Sequence, residues 1–317
     1  MNNIISFNDF CNFLNGSIRW ELFIKVTNLC NLQCAHCCEC SGPNEAPTFI
    51  PISDVRTITE NFKREKNIYP IVAISGGEPM TAYKHKPYYI PQLIKLFAKQ
   101  NFYAIELKTN TVWTTQPGAD VIFRDLTEIS AKYPKLYTMY HLSLDSFHAN
   151  ATKNVSEFIR WYYDNDNLSP KICTHIFYDN HDTLVNMLVD LAEKYNIMLD
   201  FEKDVVHEFS KLHAKKFINK DKFIVFEPYS GIENLGRAKQ NRIATRSFPS
   251  IQKQFLEKIQ QNHSLTFDNR GLAFIDCSAH MASTPYHDAR GRIKPIHVIK
   301  RELFEILYKR YLIENGR

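Results

Sequence analysis

The sequence contains no apolar run of the ~18 residues that a membrane-spanning helix needs. Lys, Arg, Asp or Glu interrupts every hydrophobic stretch, so no spanning segment is expected. A basic start followed by a long apolar segment is also missing: the chain begins Met1-Asn2-Asn3-Ile4-Ile5-Ser6-Phe7-Asn8-Asp9, which does not read as a secretory signal. A cytoplasmic address follows as the expectation. There is no fixed-period repeat and no low-complexity tract. Strong charge of either sign is lacking too, and the net charge of +5 permits an acidic partner without demanding one. With 44% hydrophobic and 23% charged residues over 317 positions, disorder and collagen-like structure are excluded and a sizeable core can be buried. That length suits two domains of about 150 residues or one α/β barrel.

Short β-branched or aromatic runs alternate with longer amphipathic stretches, the pattern of repeated βα units around a parallel sheet. Strands are expected at Leu22–Thr27, Ile71–Ser75, Ala104–Thr109, Thr138–Ser143, Ile172–Phe177 and Phe223–Phe226. Helices are expected near Ser53–Lys66, Ile90–Gln100, Asp120–Lys132, Val155–Tyr163 and Thr183–Tyr195, with Ser53 and Thr183 as caps. After residue 200 Lys and His cluster (Lys203, His207, Lys211, His213, Lys215, Lys216, Lys220, Lys222), and a basic amphipathic helix is expected at Ile299–Leu312. A solvated face explains both charge runs, although steep salt dependence of binding would point to nucleic acid.

No separate second C-x2-C pair follows downstream of the cysteine-rich loop, and that shapes the reading of the eight cysteines. Five of them, Cys30, Cys34, Cys37, Cys38 and Cys40, fall within eleven positions, while Cys11, Cys173 and Cys277 stand apart. In a reducing compartment clustered thiols hold metals or do redox chemistry more often than they crosslink. Structural zinc generally uses two separated pairs; here only Cys38 and Cys40 are on hand to complete a local set of four. Cys30, Cys34 and Cys37 follow the first strand as C-x3-C-x2-C. Three thiolates can hold one face of a four-iron cluster and leave one iron open for a ligand. Loops after the C-terminal ends of barrel strands are where such folds keep their active sites.

The second strand runs into Ser75-Gly76-Gly77-Glu78-Pro79. Its glycines let backbone approach a partner closely, and Glu78 offers an acceptor for an amine. With Leu107-Lys108-Thr109-Asn110, Leu142-Ser143-Leu144-Asp145-Ser146 and Leu235-Gly236-Arg237-Ala238 at later strand ends, the chain resembles the radical S-adenosylmethionine (SAM) enzymes over residues 20 to 240. The resemblance implies a partial (β/α)6 TIM-like barrel of α/β class with a C-terminal extension: an N-terminal segment at 1–20, the barrel at 21–230, and an extension at 231–317 covering its opening. It implies a 4Fe-4S cluster on Cys30, Cys34 and Cys37 whose open iron is chelated by SAM. Gly76, Gly77 and Glu78 would hold the SAM amino group, Asn110, Ser143 and Asp145 would lie near its ribose and methionine, and Arg237 would partner its carboxylate. A reduced cluster would release a 5'-deoxyadenosyl radical that takes a hydrogen atom from substrate, with flavodoxin or ferredoxin as electron donor.

Relatives in this family often carry further clusters in a C-terminal region, whereas here Cys277 stands alone in Phe267-Asp268-Asn269-Arg270-Gly271-Leu272-Ala273-Phe274-Ile275-Asp276-Cys277-Ser278. More loosely the chain resembles radical SAM peptide epimerases, in Cys34-Ala35-His36-Cys37-Cys38, Asp145-Ser146-Phe147-His148 and Cys277-Ser278. This implies a peptide substrate and Cys277 as hydrogen donor; the alternative for Cys277 is a small buried thiol packing as a hydrophobe. His36 is read as shaping the cluster loop and His148 as a contact to substrate or SAM, each against the ordinary case of a histidine without a role. Tyr137, Tyr140, Phe147, Trp161, Tyr162 and Tyr163 are read as core. Bond formation or rearrangement on a nucleotide or small metabolite, and a metal-stabilised binding module, are the competing functions.

Overall fold

A computed structural model describes residues 5–17, 19–166, 168, 172–195, 204–206, 213–219, 222–228, 235–245, 262–275 and 282–314. The chain forms α1 (Phe7–Ser17), β1 (Arg19–Thr27), α2 (Ile52–Phe62), β2 (Ile68–Gly76), a short α3 (Ala82–His85), α4 (Tyr89–Lys99), β3 (Ala104–Thr109), α5 (Ala119–Lys132), β4 (Tyr137–Leu144), α6 (Ala151–Asp164), β5 (Ile172–Tyr178) and α7 (His181–Tyr195). It continues through β6 (Asp204–Val206), β7 (His213–Asn219), β8 (Lys222–Pro228), α8 (Gly236–Gln240), β9 (Asn262–Asp268), β10 (Leu272–Ile275), β11 (Ser283–Pro285) and α9 (Ile296–Glu314).

One sheet holds all the strands in the order β11-β10-β9-β1-β2-β3-β4-β5-β8-β7-β6. Neighbours from β9 through β8 are parallel, and the pairs at either end are antiparallel. Strands β1 to β5 and β8 follow one another in chain order with helices between the first five, as in the expected partial (β/α)6 TIM-like barrel. The sheet is open, because its edges are β11 and β6. Strand β9 lies parallel to β1, in register from Arg19 with Asn262 to Lys25 with Asp268, so the C-terminal part of the chain extends the sheet at the β1 edge.

All six expected strands form, and the expected helices appear with shifted ends. Neither expected cap operates. Pro51 occupies the N-cap position of α2 while Ser53 turns to the Asp54 carboxylate at 3.4 Å, and Asn180 rather than Thr183 caps α7, accepting the Thr183 amide at 2.9 Å. Both serine and threonine sit one turn too late for their hydroxyls to reach an orphan amide. Helix α1 was not anticipated; Ser6 and Asp9 exchange hydrogen bonds at its start, and Phe10 and Leu14 are fully buried, with Phe10 packed on Tyr308 and Tyr311 of α9. In α9 the residues Ile296, Ile299, Leu303, Phe304, Leu307 and Tyr311 are buried at helical spacing. Of the basic cluster after residue 200, Lys203, His207, Lys211 and Lys220 lie outside the described residues. No helix among the described residues is long and apolar enough to cross a membrane.

Alternation along the strands sorts the two faces of the sheet. Leu22, Ile24, Val26, Val72, Ile74, Ile105, Leu107, Leu142, Leu144 and Ile176 join the helices in the main core. On the opposite face Ile71, Ala104, Met139 and Cys173, with Tyr69 and Tyr137, make a small apolar floor near the strand starts.

Candidate functional site

Strand β1 ends where Thr27 accepts the Leu29 amide on its hydroxyl at 3.1 Å, and the chain then swings through the cysteine loop to return at Gly42, bridged to Leu29. The end of β2 seats this loop. Gly77 donates to the Thr27 carbonyl at 2.7 Å and Glu78 to the Leu29 carbonyl at 2.9 Å. A Cβ on Gly76, at φ +128, would lie 2.2 Å from the Thr27 oxygen, and one on Gly77 would lie 2.2 Å from the Leu29 oxygen. The backbone that these glycines admit is therefore the cysteine loop itself.

Glu78 is 1% exposed and joins three strand ends. Its carboxylate accepts from the Met80 amide (3.0 Å), the Thr109 hydroxyl (2.9 Å) and the Asn110 amide (2.7 Å). Burial pushes its pKa up to about 7, against the pull of those hydrogen bonds. Asn110 passes the connection on: its side-chain amide donates to the Asn31 side chain at 2.7 Å and to the Cys30 sulfur at 3.6 Å. The Cys30 sulfur also accepts the Leu32 amide at 3.4 Å. Burial pushes this thiol up to about 12, and the Glu78 carboxylate and the neighbouring Cys34 and Cys37 add to the rise. Cys30, Cys34, Cys37, Cys38 and Cys40 are all free thiols.

The other half of the loop is held from α8. Arg237 donates its backbone amide to the Cys37 carbonyl (3.0 Å), Nε to the Cys34 carbonyl (2.7 Å) and Nη2 to the Ser41 carbonyl (2.6 Å). Asn241 donates to the Ala35 carbonyl at 3.0 Å. Contact is close enough that a Cβ on Gly236, at φ +49, would lie 2.4 Å from the Cys38 oxygen. From β1 the buried Lys25 pairs with Glu39 of the loop and sits 4.5 Å from the centre of the Phe274 ring.

Past β4, Asp145 is buried and accepts the Phe147 and His148 amides at 3.0 and 3.1 Å and the His148 ring Nδ1 at 2.7 Å. Burial pushes the Asp145 carboxyl up, but the His148 hydrogen bond and charge, the His36 ring and the Phe147 amide together hold the group below its usual range. Burial pulls His148 down; hydrogen bonds to Asp145 and to the Cys34 thiol prevail and set it at about 10. His36 packs against Phe147 and edge-on to His148, with ring centres 4.6 and 5.3 Å away, and burial lowers its pKa. Ligating atoms of His36, Asp145 and His148 all lie within 4.8 Å of one another. Ser143 is half-buried on β4, in register with Phe177. Cys277 lies outside the described residues.

The structure thus brings Cys30, Gly76, Gly77, Glu78 and Asn110 into one connected network, Cys34 and Cys37 into contact with Arg237, and the Cys34 thiol to His148. It also displays polar residues that the sequence reading passed over. Glu106 and Lys108 of β3, His141 of β4, His175 of β5 and Glu227 of β8 make a layer on the inward face above the apolar floor. His175 pairs with Glu227 at 3.0 Å, Lys108 with Glu106 at 3.4 Å, and the His141 and His175 ring centres are 4.9 Å apart. The signal was ionisable residues at every second position of otherwise apolar strands, as in Ala-Ile-Glu-Leu-Lys-Thr. A cleft of about 1040 Å³ opens beside the site; buried Cys30 and Glu78 lie at its inner end, and the exposed Tyr88 and Val121 stand at its rim.

No protein-family model matches the chain. A stretch of 92 residues, 28% of the chain, is 34% identical to a 7,8-dihydro-6-hydroxymethylpterin dimethyltransferase of Methanocaldococcus jannaschii, and spans only 17% of that protein. Among solved structures, the chain is similar to SuiB of Streptococcus suis bound to the precursor peptide SuiA, at 12% identity over 95% of this chain and 67% of that one, with a TM-score of 0.45. It is also similar to anSMEcpe with bound AdoMet, at 14% identity over 80% of this chain and 73% of that one, with a TM-score of 0.43.

Proposed function

We propose that this chain is a radical SAM enzyme that modifies a peptide. The observation that carries the class is the convergence of Cys30, Cys34 and Cys37 with Gly76, Gly77, Glu78 and Asn110 at the C-terminal ends of three adjacent parallel strands, joined by hydrogen bonds from Asn110 to Asn31 and Cys30. The donor set suits an iron-sulfur cluster: three free thiols in one loop, with two N–H groups already directed at the Cys30 sulfur. When bound, the cluster supplies the electron that cleaves SAM to a 5'-deoxyadenosyl radical. Glu78 presents its carboxylate where an ammonium group entering the cleft would meet it, and its three hydrogen bonds hold it there. The cysteine loop is braced at Glu39 by Lys25 and along its backbone by Arg237 and Asn241.

For the reaction, the likeness to peptide epimerases around Asp145-Ser146-Phe147-His148 and Cys277-Ser278 supports inversion of a peptide stereocentre. The Cys277 S–H bond breaks as a C–H bond forms on the opposite face of the substrate radical, and an electron from an external donor such as ferredoxin together with a proton from solvent restores the thiol. A second reading, carbon–carbon bond formation on a heterocyclic small metabolite, is favoured by the stretch shared with a dihydropterin dimethyltransferase.

Anaerobic reconstitution with iron and sulfide tests the class through brown colour and 5'-deoxyadenosine formation from SAM. Turnover in deuterium oxide separates the reactions, since an exchangeable thiol donor labels the inverted carbon while carbon transfer raises the product mass. A Cys277→Ala variant that still inverts fully removes the donor role.

A further inference from the structure

The resemblance to radical SAM enzymes gives Arg237 to the SAM carboxylate, but two of its three guanidinium nitrogens are turned to the cysteine loop. Its Nε reaches the Cys34 carbonyl and its Nη2 the Ser41 carbonyl, while its amide takes the Cys37 carbonyl. Asn241, one turn on, takes the Ala35 carbonyl. Four carbonyls of the arc from Cys34 to Ser41 are thus bound by one short element lying two hundred residues downstream. Inside that arc the hydrogen bonds are sparse, with Cys37 donating to the Cys34 carbonyl at 3.2 Å and Cys40 to the Cys37 carbonyl at 3.5 Å, and Cys40 holds a left-handed φ of 57°. A loop so poorly braced internally takes its shape from outside. The planar guanidinium is suited to this, since one rigid fork fixes two carbonyls in a set relation that a lysine ammonium cannot reproduce.

We propose that Arg237, assisted by Asn241, is a positioning residue of the cysteine loop, setting how firmly Cys34 and Cys37 hold the cluster rather than binding SAM. This rests on the reading that Cys30, Cys34 and Cys37 carry an iron-sulfur cluster. Loss of such an outer support costs on the order of tenfold in metal retention.

The test follows cluster absorbance of reconstituted, full-length protein during anaerobic challenge with an iron chelator, alongside SAM binding to the loaded protein. Arg237→Ala is expected to lose its cluster about tenfold faster than wild type, with Arg237→Lys close to it, and Asn241→Ala, which removes one contact rather than two, to be accelerated less. The affinity of the remaining loaded protein for SAM is expected to be unchanged. Cluster loss at the wild-type rate in Arg237→Ala, together with weakened SAM binding, would overturn the inference and restore the carboxylate role. If Arg237→Ala does not fold, as judged by circular dichroism before reconstitution, Asn241→Ala decides: faster loss supports the inference and an unchanged rate overturns it. A wild-type protein that takes up no iron and sulfide instead defeats the reading beneath it.

Discussion

The two halves of the cysteine loop are secured in opposite ways. The half at Cys30 is seated on β2 and β3 by buried groups within eighty residues of it, with Glu78 at the hub and two glycines in backbone contact. The half from Cys34 to Ser41 is held mainly by partly exposed donors of α8, which arrive only when the chain has passed β8. The first half is therefore continuous with the core of the sheet, and disturbing it costs global stability. The second half is a clasp, and its release is expected to change what the loop can hold while leaving the sheet standing.

Substitutions in the two halves should have unequal effects. Replacing Cys30, Cys34 and Cys37 together by Ala should have the largest effect, reducing reconstituted iron to background by chemical analysis with the far-ultraviolet circular dichroism unaltered. Gly77→Ala, whose Cβ would stand 2.2 Å from the Leu29 oxygen, forces the near half off β2 and should lower unfolding stability by about 1–3 kcal/mol in denaturant titration. Glu78→Gln should cost on the order of 1–3 kcal/mol in the same assay, because an amide NH2 replaces an acceptor facing Thr109 or Asn110. The clasp should differ: Asn241→Ala should shift unfolding by less than about 1 kcal/mol.

Glu78 also predicts a pH dependence. Burial raises its pKa from 4.5 to about 7 in the folded protein. Its contribution to stability is thus fully present below about 4.5 and is lost as pH rises through about 7, since the buried carboxylate is the disfavoured form. A ligand ammonium reverses the preference. SAM affinity, measured by calorimetry, should weaken by about tenfold per unit as pH falls below about 7. In Glu78→Gln this slope should vanish.

Much of the sheet was legible because its signals are local. Each of β1 to β5 and β8 is a short run rich in β-branched or aromatic residues, and Cys30, Gly76, Glu78, Asn110 and Asp145 follow strand ends at short range. The rest depends on distant pairings. Strand β9 joins β1 across more than two hundred residues, and nothing in His263 to Asp268 names its partner. Arg237 was legible as a motif residue, but its geometry was not, because a guanidinium donates to backbone carbonyls as well as to carboxylates. The Glu106, Lys108, His141, His175 and Glu227 layer was hidden because each member alone reads as a polar interruption of a strand; only lateral register aligns them on one face. Helix α1 had a readable signal in the Ser6 and Asp9 pair followed by Phe10 and Leu14 at helical spacing, which the sequence reading missed.

The central claim is that the loop holds an iron-sulfur cluster with one iron left for SAM. Mössbauer spectroscopy of the protein reconstituted with labelled iron, with and without SAM, addresses it most directly. About four irons per chain in one cubane are expected, with a single iron site changed by SAM. A colourless protein that binds zinc at the same cysteines, or a cluster whose irons are all indifferent to SAM, would contradict it.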